Sequence, residues 1–137
     1  MIPEDALELI HPSLALASYV FVIINSIYTF TKGKKENQKI TIQIAWLFCL
    51  GGLITGMVWA ELAWGRFWNW DPKEIGTLLL LVSITAYILI FNKPKMNHKR
   101  LFLLTCTNLI FMFFTLIMSP AMDSIHSDYL PLAVLMR

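Results

Sequence analysis

The chain has 137 residues, of which 57% are hydrophobic and 15% charged, and its formal net charge is +2. That balance excludes an ordinary soluble domain, and so small a charge gives no footing for nucleic acid. Cys49 and Cys106 lie inside apolar runs without CxxC spacing, so both read as packing residues and neither as a disulfide or metal clip.

The first ten residues, MIPEDALELI, are acidic where a cleavable signal peptide would be basic. From Leu9 to Thr31 there is no Asp, Glu, Lys or Arg, which is long enough to cross about 30 Å of hydrocarbon as a helix. Pro12 is expected in the first helical turn, where its missing N–H costs nothing. After KGKKENQK (Lys32 to Lys39) comes a second uncharged run, Ile40 to Ala60, containing a GxxxG spacing at Gly52 and Gly56 of the kind that lets helices approach closely in lipid. A third run covers Ile75 to Asn92, and a fourth covers Leu101 to Met122. The expectation is an all-α polytopic membrane protein: a single four-helix transmembrane domain over 1–137, with spans near 12–31, 40–63, 72–91 and 100–119 and an outer amphipathic, tryptophan-rich loop over 59–74.

Charge orients these spans. Eight of the eleven basic residues sit in the segments 32–39 and 93–100, whereas eight of the nine acids lie in the other three exposed segments. By the positive-inside rule the two basic loops are cytoplasmic, and both termini and the tryptophan loop are extracytoplasmic.

The loop itself, WAELAWGRFWNWDPKE, holds four of the five tryptophans, Trp59, Trp64, Trp68 and Trp70, with Phe67 among them. An interfacial aromatic belt accounts for one or two such rings, not for four within twelve residues. Asp71, Pro72 and Glu74 have the spacing of a helix start, with Asp71 as N-cap, Pro72 at N1 and Glu74 closing a capping box. Glu61 reads as an interfacial carboxylate. His11 and His126 fall on the same predicted face, one near each end of the chain, while His98 lies in a basic loop where solvation is explanation enough. Two imidazoles flanking an aromatic floor fit axial ligation of a haem iron, with indoles against the porphyrin and Arg66 or Lys73 beside its propionates.

WGRFWNWDPKE, preceded by Trp59, Ala60 and Glu61, resembles the tryptophan-rich WWD signature of the cytochrome c assembly family, the CcmC/CcsA/CcmF-like haem-handling membrane proteins. The resemblance implies that the WWD loop binds haem b non-covalently on the extracytoplasmic face. It carries the two axial ligands onto His11 and His126, and it implies delivery of the haem to apocytochrome c or another acceptor during cytochrome c maturation. Members of the family carry at least six spans, so this chain looks like a shortened form whose missing helices come from a partner membrane subunit.

The resemblance implies an integral protein of a bacterial-type inner, or an organellar, membrane bilayer. On this reading the chain is a component of a haem lyase or synthase complex and not an enzyme on its own, since it holds no nucleophile–base pair; the chemistry belongs to cofactor and acceptor. Two alternatives remain at this level. One is a haem b electron-transfer subunit of a membrane quinol–cytochrome complex, and the other a cofactor-free assembly subunit whose tryptophans pack against a partner.

Overall fold

The computed structural model of the chain describes residues 4–118. Four helices follow one another: α1 (Glu4–Phe30), α2 (Lys35–Trp64), α3 (Pro72–Phe91) and α4 (His98–Phe113), the last continued by a π-helical turn, Phe114–Met118. No strand occurs among the described residues, and each of the four helices, with the turn completing the last, is long and apolar enough to cross a membrane. The fold is therefore all-α and the protein an integral membrane protein. α1 packs on α2, α2 on α3, α3 on α4, and α4 back on α1, which closes a ring of four with α1–α2 as its most extensive seam.

Two helices begin well before their expected spans near 12–31 and 40–63. Residues 4–8 continue α1 towards the N-terminus because Glu, Ala and Leu are good helix formers. Pro12 consequently lies inside α1 and not in its first turn, which corrects the expectation above. Its ring is on an exposed face, and in the same turn the Ser13 hydroxyl donates to the Leu9 carbonyl at 2.7 Å. Similarly, Lys35 to Lys39 form the first turn of α2, leaving a short connection of Thr31 to Lys34.

The cross-section is greasy outside and mixes apolar side chains with small polar ones inside, as helices packing in lipid allow. Leu16, Val20, Ile23 and Ile27 run down the exposed face of α1, whereas Ser18, Asn25 and Thr29 are buried on its inner face. Val22, Ile42, Leu80, Ile84, Tyr87, Leu101 and Met112 fill the core between them. The seam between α1 and α2 is sewn by side chains of α1 that donate to main-chain carbonyls of α2. Ser18 Oγ reaches the Ala45 carbonyl at 3.0 Å, and Asn25 Nδ2 reaches the Gln38 carbonyl at 2.8 Å. Such donations need close backbones. At Gly52 an added Cβ would sit 3.2 Å from the Ala15 nitrogen, so the helices touch main chain to main chain there.

At the lysine-loop end the polar contacts extend to a third helix. Thr29 Oγ1 and Tyr87 Oη lie 2.8 Å apart, Asn25 Nδ2 also reaches Thr41 Oγ1 at 3.1 Å, and Gln38 Nε2 closes the α1–α2 connection on the Gly33 carbonyl at 2.8 Å. Gly76 does the corresponding work between α3 and the π-turn, for a Cβ there would collide with the Thr115 hydroxyl.

Candidate functional site

The tryptophan loop is built by local rules. Trp64 ends α2, and Gly65 takes a left-handed φ of 70° with its N–H on the Glu61 carbonyl at 2.8 Å, the αL cap that glycine adopts without strain. Five residues later Trp70 also takes a left-handed φ, 56°, at a cost of about 1–2 kcal/mol for a residue with a Cβ. One carboxylate holds it there. Glu74 Oε2 accepts from the Asn69 N–H at 2.9 Å and from the Asp71 N–H at 3.2 Å, the two amides on either side of Trp70. Asp71 is buried and accepts from the Lys73 N–H at 2.8 Å, so the capping box read from the sequence is present with one extra bond.

The clamp aims Trp70 outward, where it is 72% exposed, with Phe67 52% exposed nearby in the loop. Trp68 meets Trp70 edge-on at 5.8 Å and 89°. Trp59 and Trp64 form a second edge-on pair at 4.6 Å and 77°. Trp59 itself is buried at the top of the inward stripe of α2 that runs through Ala45, Cys49 and Gly52. The four indoles are therefore two perpendicular pairs, one rooted in the bundle and one standing above it. Arg66 is exposed in the loop, and Lys73 is half-buried in the first turn of α3.

His11 sits against the same stripe of α2. Its Nδ1–H donates to the Gly52 carbonyl at 2.9 Å. The ring is seated on Gly56, where an added Cβ would lie 2.7 Å from both Cε1 and Nδ1. Gly56 and Trp59 are three residues apart on α2, neighbours on one helical face with a rise of about 4.5 Å. The imidazole is thus held one turn from the buried indole, at the tryptophan-loop end of the bundle. With Nδ1 as donor, the neutral ring carries its lone pair on Nε2, the arrangement that suits a metal ligand oriented by a main-chain carbonyl.

His98 begins α4 at the opposite, lysine-loop end, behind an Asn97 cap whose Oδ1 accepts from the Lys99 N–H at 3.0 Å. His126 lies outside the described residues. Among the described residues no three His, Cys, Asp or Glu side chains converge as a metal site. Both thiols are free, Cys49 buried and Cys106 half-buried.

The glycine pair is the part of the site that residue chemistry alone did not announce. Its spacing was legible as a close helix approach, but not that the group admitted by the missing Cβ would be an imidazole. The signal available was the shared face of Gly52, Gly56 and Trp59 together with the position of His11 near the end of the neighbouring run.

Comparison with known proteins points one way. The model of the family described as cytochrome C assembly protein matches residues 3–126, a stretch that takes in His11, the tryptophan loop and His126. The chain is similar to proteins named cytochrome c biogenesis protein CcsA. It is 38% identical to that of Phaseolus vulgaris over 58 residues, covering 42% of this chain and 18% of the relative. With that of Fagopyrum esculentum subsp. ancestrale it shares 34% identity over 83 residues, 60% of this chain and 25% of the relative. With that of Synechococcus sp. (strain CC9902) it shares 44% identity over 48 residues, 35% and 16%. In each case the chain matches a quarter or less of the relative's length. No solved structure matches.

Proposed function

Because the chain belongs to the cytochrome c assembly protein family, we propose that it serves cytochrome c biogenesis by holding haem b non-covalently at the tryptophan-loop end of the bundle. In this reading the loop and both termini are extracytoplasmic, as the lysine distribution favours. His11 is one axial ligand and His126 the other. The reading is carried by one observation: the His11 imidazole is oriented by the Gly52 carbonyl and seated on Gly56, so that Nε2 holds the lone pair a metal would take.

The donor set and the surfaces fit the group. An imidazole is a usual haem ligand, and the outward rings of Trp70 and Phe67 offer flat apolar area for a porphyrin face or edge. Arg66, exposed in the same loop, is available to a propionate as a charged hydrogen-bond donor, and Lys73 stands at the foot of the loop. When bound, haem would supply an iron for the two imidazoles and two vinyl groups for thioether formation with the cysteines of an acceptor cytochrome. The chain's own work is to bind, to orient and to release. His11 is fixed by main chain on two sides, whereas the outer indole pair stands on a loop braced by the carboxylates of Glu74 and Asp71. Delivery to an apocytochrome would require both imidazoles to give up the iron.

Absorption spectra of the purified protein and of His11→Ala and His126→Ala variants test this. The native protein is expected to carry a low-spin, six-coordinate haem that each variant loses or converts to high spin. Unchanged spectra in both variants would sink the ligand assignment. Purified protein without a Soret band, after expression with ample haem, would favour a cofactor-free assembly subunit. Rapid reduction by quinol would favour electron transfer.

A further inference from the structure

A second feature lies at the other end of the bundle. Between α2 and α3 a groove of about 460 Å³ opens on the outer surface, lined by Gln43, Trp46, Leu47, Thr85, Ile88 and Leu89. Its floor is fixed by the Trp46 indole, whose Nε1–H donates to Thr85 Oγ1 at 2.9 Å. The lining holds no cation itself, but the helices that form it carry one just beyond it on either side. On α2, residues four apart share a face, and towards the bundle centre that face reads Lys39, Gln43, Leu47: a cation, an amide and an alkyl chain, all exposed. On α3 the chain is still winding past the helix end, since the Asn92 and Lys93 amides bond back to the Ile88 and Ile90 carbonyls at 3.1 and 3.2 Å. Lys93, which is exposed, therefore stands about one turn beyond Leu89, on the lysine-loop side of the groove.

A cation, then a hydrogen-bonding amide one turn deeper, then apolar wall is the order in which a phospholipid presents phosphate, glycerol ester and acyl chain. An exposed amide inside an apolar span also needs a polar partner that a lipid tail cannot give. We propose that this groove is a seat for an anionic phospholipid of the leaflet at the lysine-loop end. Lys39 and Lys93 hold its phosphate, the Gln43 amide meets its ester, and one acyl chain lies along Leu47, Ile88 and Leu89. The seat is at the opposite end of the bundle from the tryptophan loop and stands whether or not haem binds there.

A photo-crosslinking residue at Leu47, in the full chain reconstituted in phosphatidylcholine vesicles containing phosphatidylglycerol, reads the occupant by intact mass. The expected adduct is one phospholipid per chain, with phosphatidylglycerol enriched roughly tenfold over its share of the vesicle. Lys39→Gln with Lys93→Gln should abolish the enrichment, and Lys34→Gln with Lys99→Gln, which removes the same charge away from the groove, should keep it. Adducts that follow the vesicle composition overturn the proposal, as does an equal loss in the control pair. An adduct to a second copy of the chain or to another protein overturns it too, and would make the groove a helix-docking face.

Discussion

His11 and Gly52 are 41 positions apart in sequence and joined by a hydrogen bond of 2.9 Å from Nδ1 to the carbonyl oxygen across the α1–α2 seam. That bond selects the tautomer of the ring, and Gly56 supplies the room the ring needs. The site's geometry therefore depends on two residues with no side chain at all.

Gly56→Ala places a Cβ 2.7 Å from the imidazole and must push the ring off its seat. Haem retained per protein, read from the Soret band, should fall roughly tenfold, equivalent to about 1.4 kcal/mol. Gly51→Ala is the control. Its new methyl would meet only Leu14 Cδ1, at an ordinary 3.6 Å, and retention should be unchanged. Equal effects from the two would show that the seat is unimportant.

Glu74→Ala removes the acceptor from both the Asn69 and Asp71 amides. Loss of this half of the capping box should destabilise the start of α3 by about 1 kcal/mol. Hydrogen exchange should speed up at residues 69–71 and stay as before in α1. Protection retained at those amides would mean that the carboxylate is not the clamp.

Trp70→Gly separates stability from binding. Glycine relieves a left-handed φ of 56°, so thermal stability should hold or rise although a large ring is lost. Haem retention should nonetheless drop, because the most exposed indole of the loop is gone. A variant that binds as well as the parent would remove Trp70 from the platform.

Asn25→Ala deletes the donor to the Gln38 carbonyl and Thr41 hydroxyl at the lysine-loop end. Resistance to unfolding in mixed micelles should fall by about 0.6 to 1.7 kcal/mol, the range of hydrogen bonds between membrane helices. The haem spectrum should be unaltered, since this network is far along α1 from His11. A spectral change would mean that the two ends of the bundle are coupled.

Sidedness has its own test. Asn69→Cys should react with an impermeant thiol reagent only from the extracytoplasmic side, and Lys95→Cys only from the cytoplasmic side. The reverse pattern would invert the topology and move the tryptophan loop away from any extracytoplasmic acceptor.

The number and kind of helices were legible in the residues because lipid demands long uncharged runs and the charged connections interrupt them. The Asp71 to Glu74 cap was legible for a similar reason, being settled within four residues. Helix starts were less so. In α1 the acidic segment before Leu9 carries no apolar signal yet has the propensity to continue the helix, which moved Pro12 into its interior. What could not be read was anything that depends on the register of one helix against another. That His11 faces Gly52 and Gly56, and that Ser18 and Asn25 find carbonyls of α2, follows from how two helices slide together. Nor does any propensity place an indole in the left-handed region; Trp70 is there because Glu74 returns to bond on both sides of it.

The seam between α1 and α2 has a temporal consequence. The Gly52 carbonyl that orients the His11 ring and the bed at Gly56 on which it sits both belong to α2, the helix that follows its own. A hairpin of two adjacent helices forms from contacts close in sequence, ahead of the elements synthesised later. The imidazole is therefore positioned by contacts available before Trp68, Trp70, α3 and α4 have been synthesised.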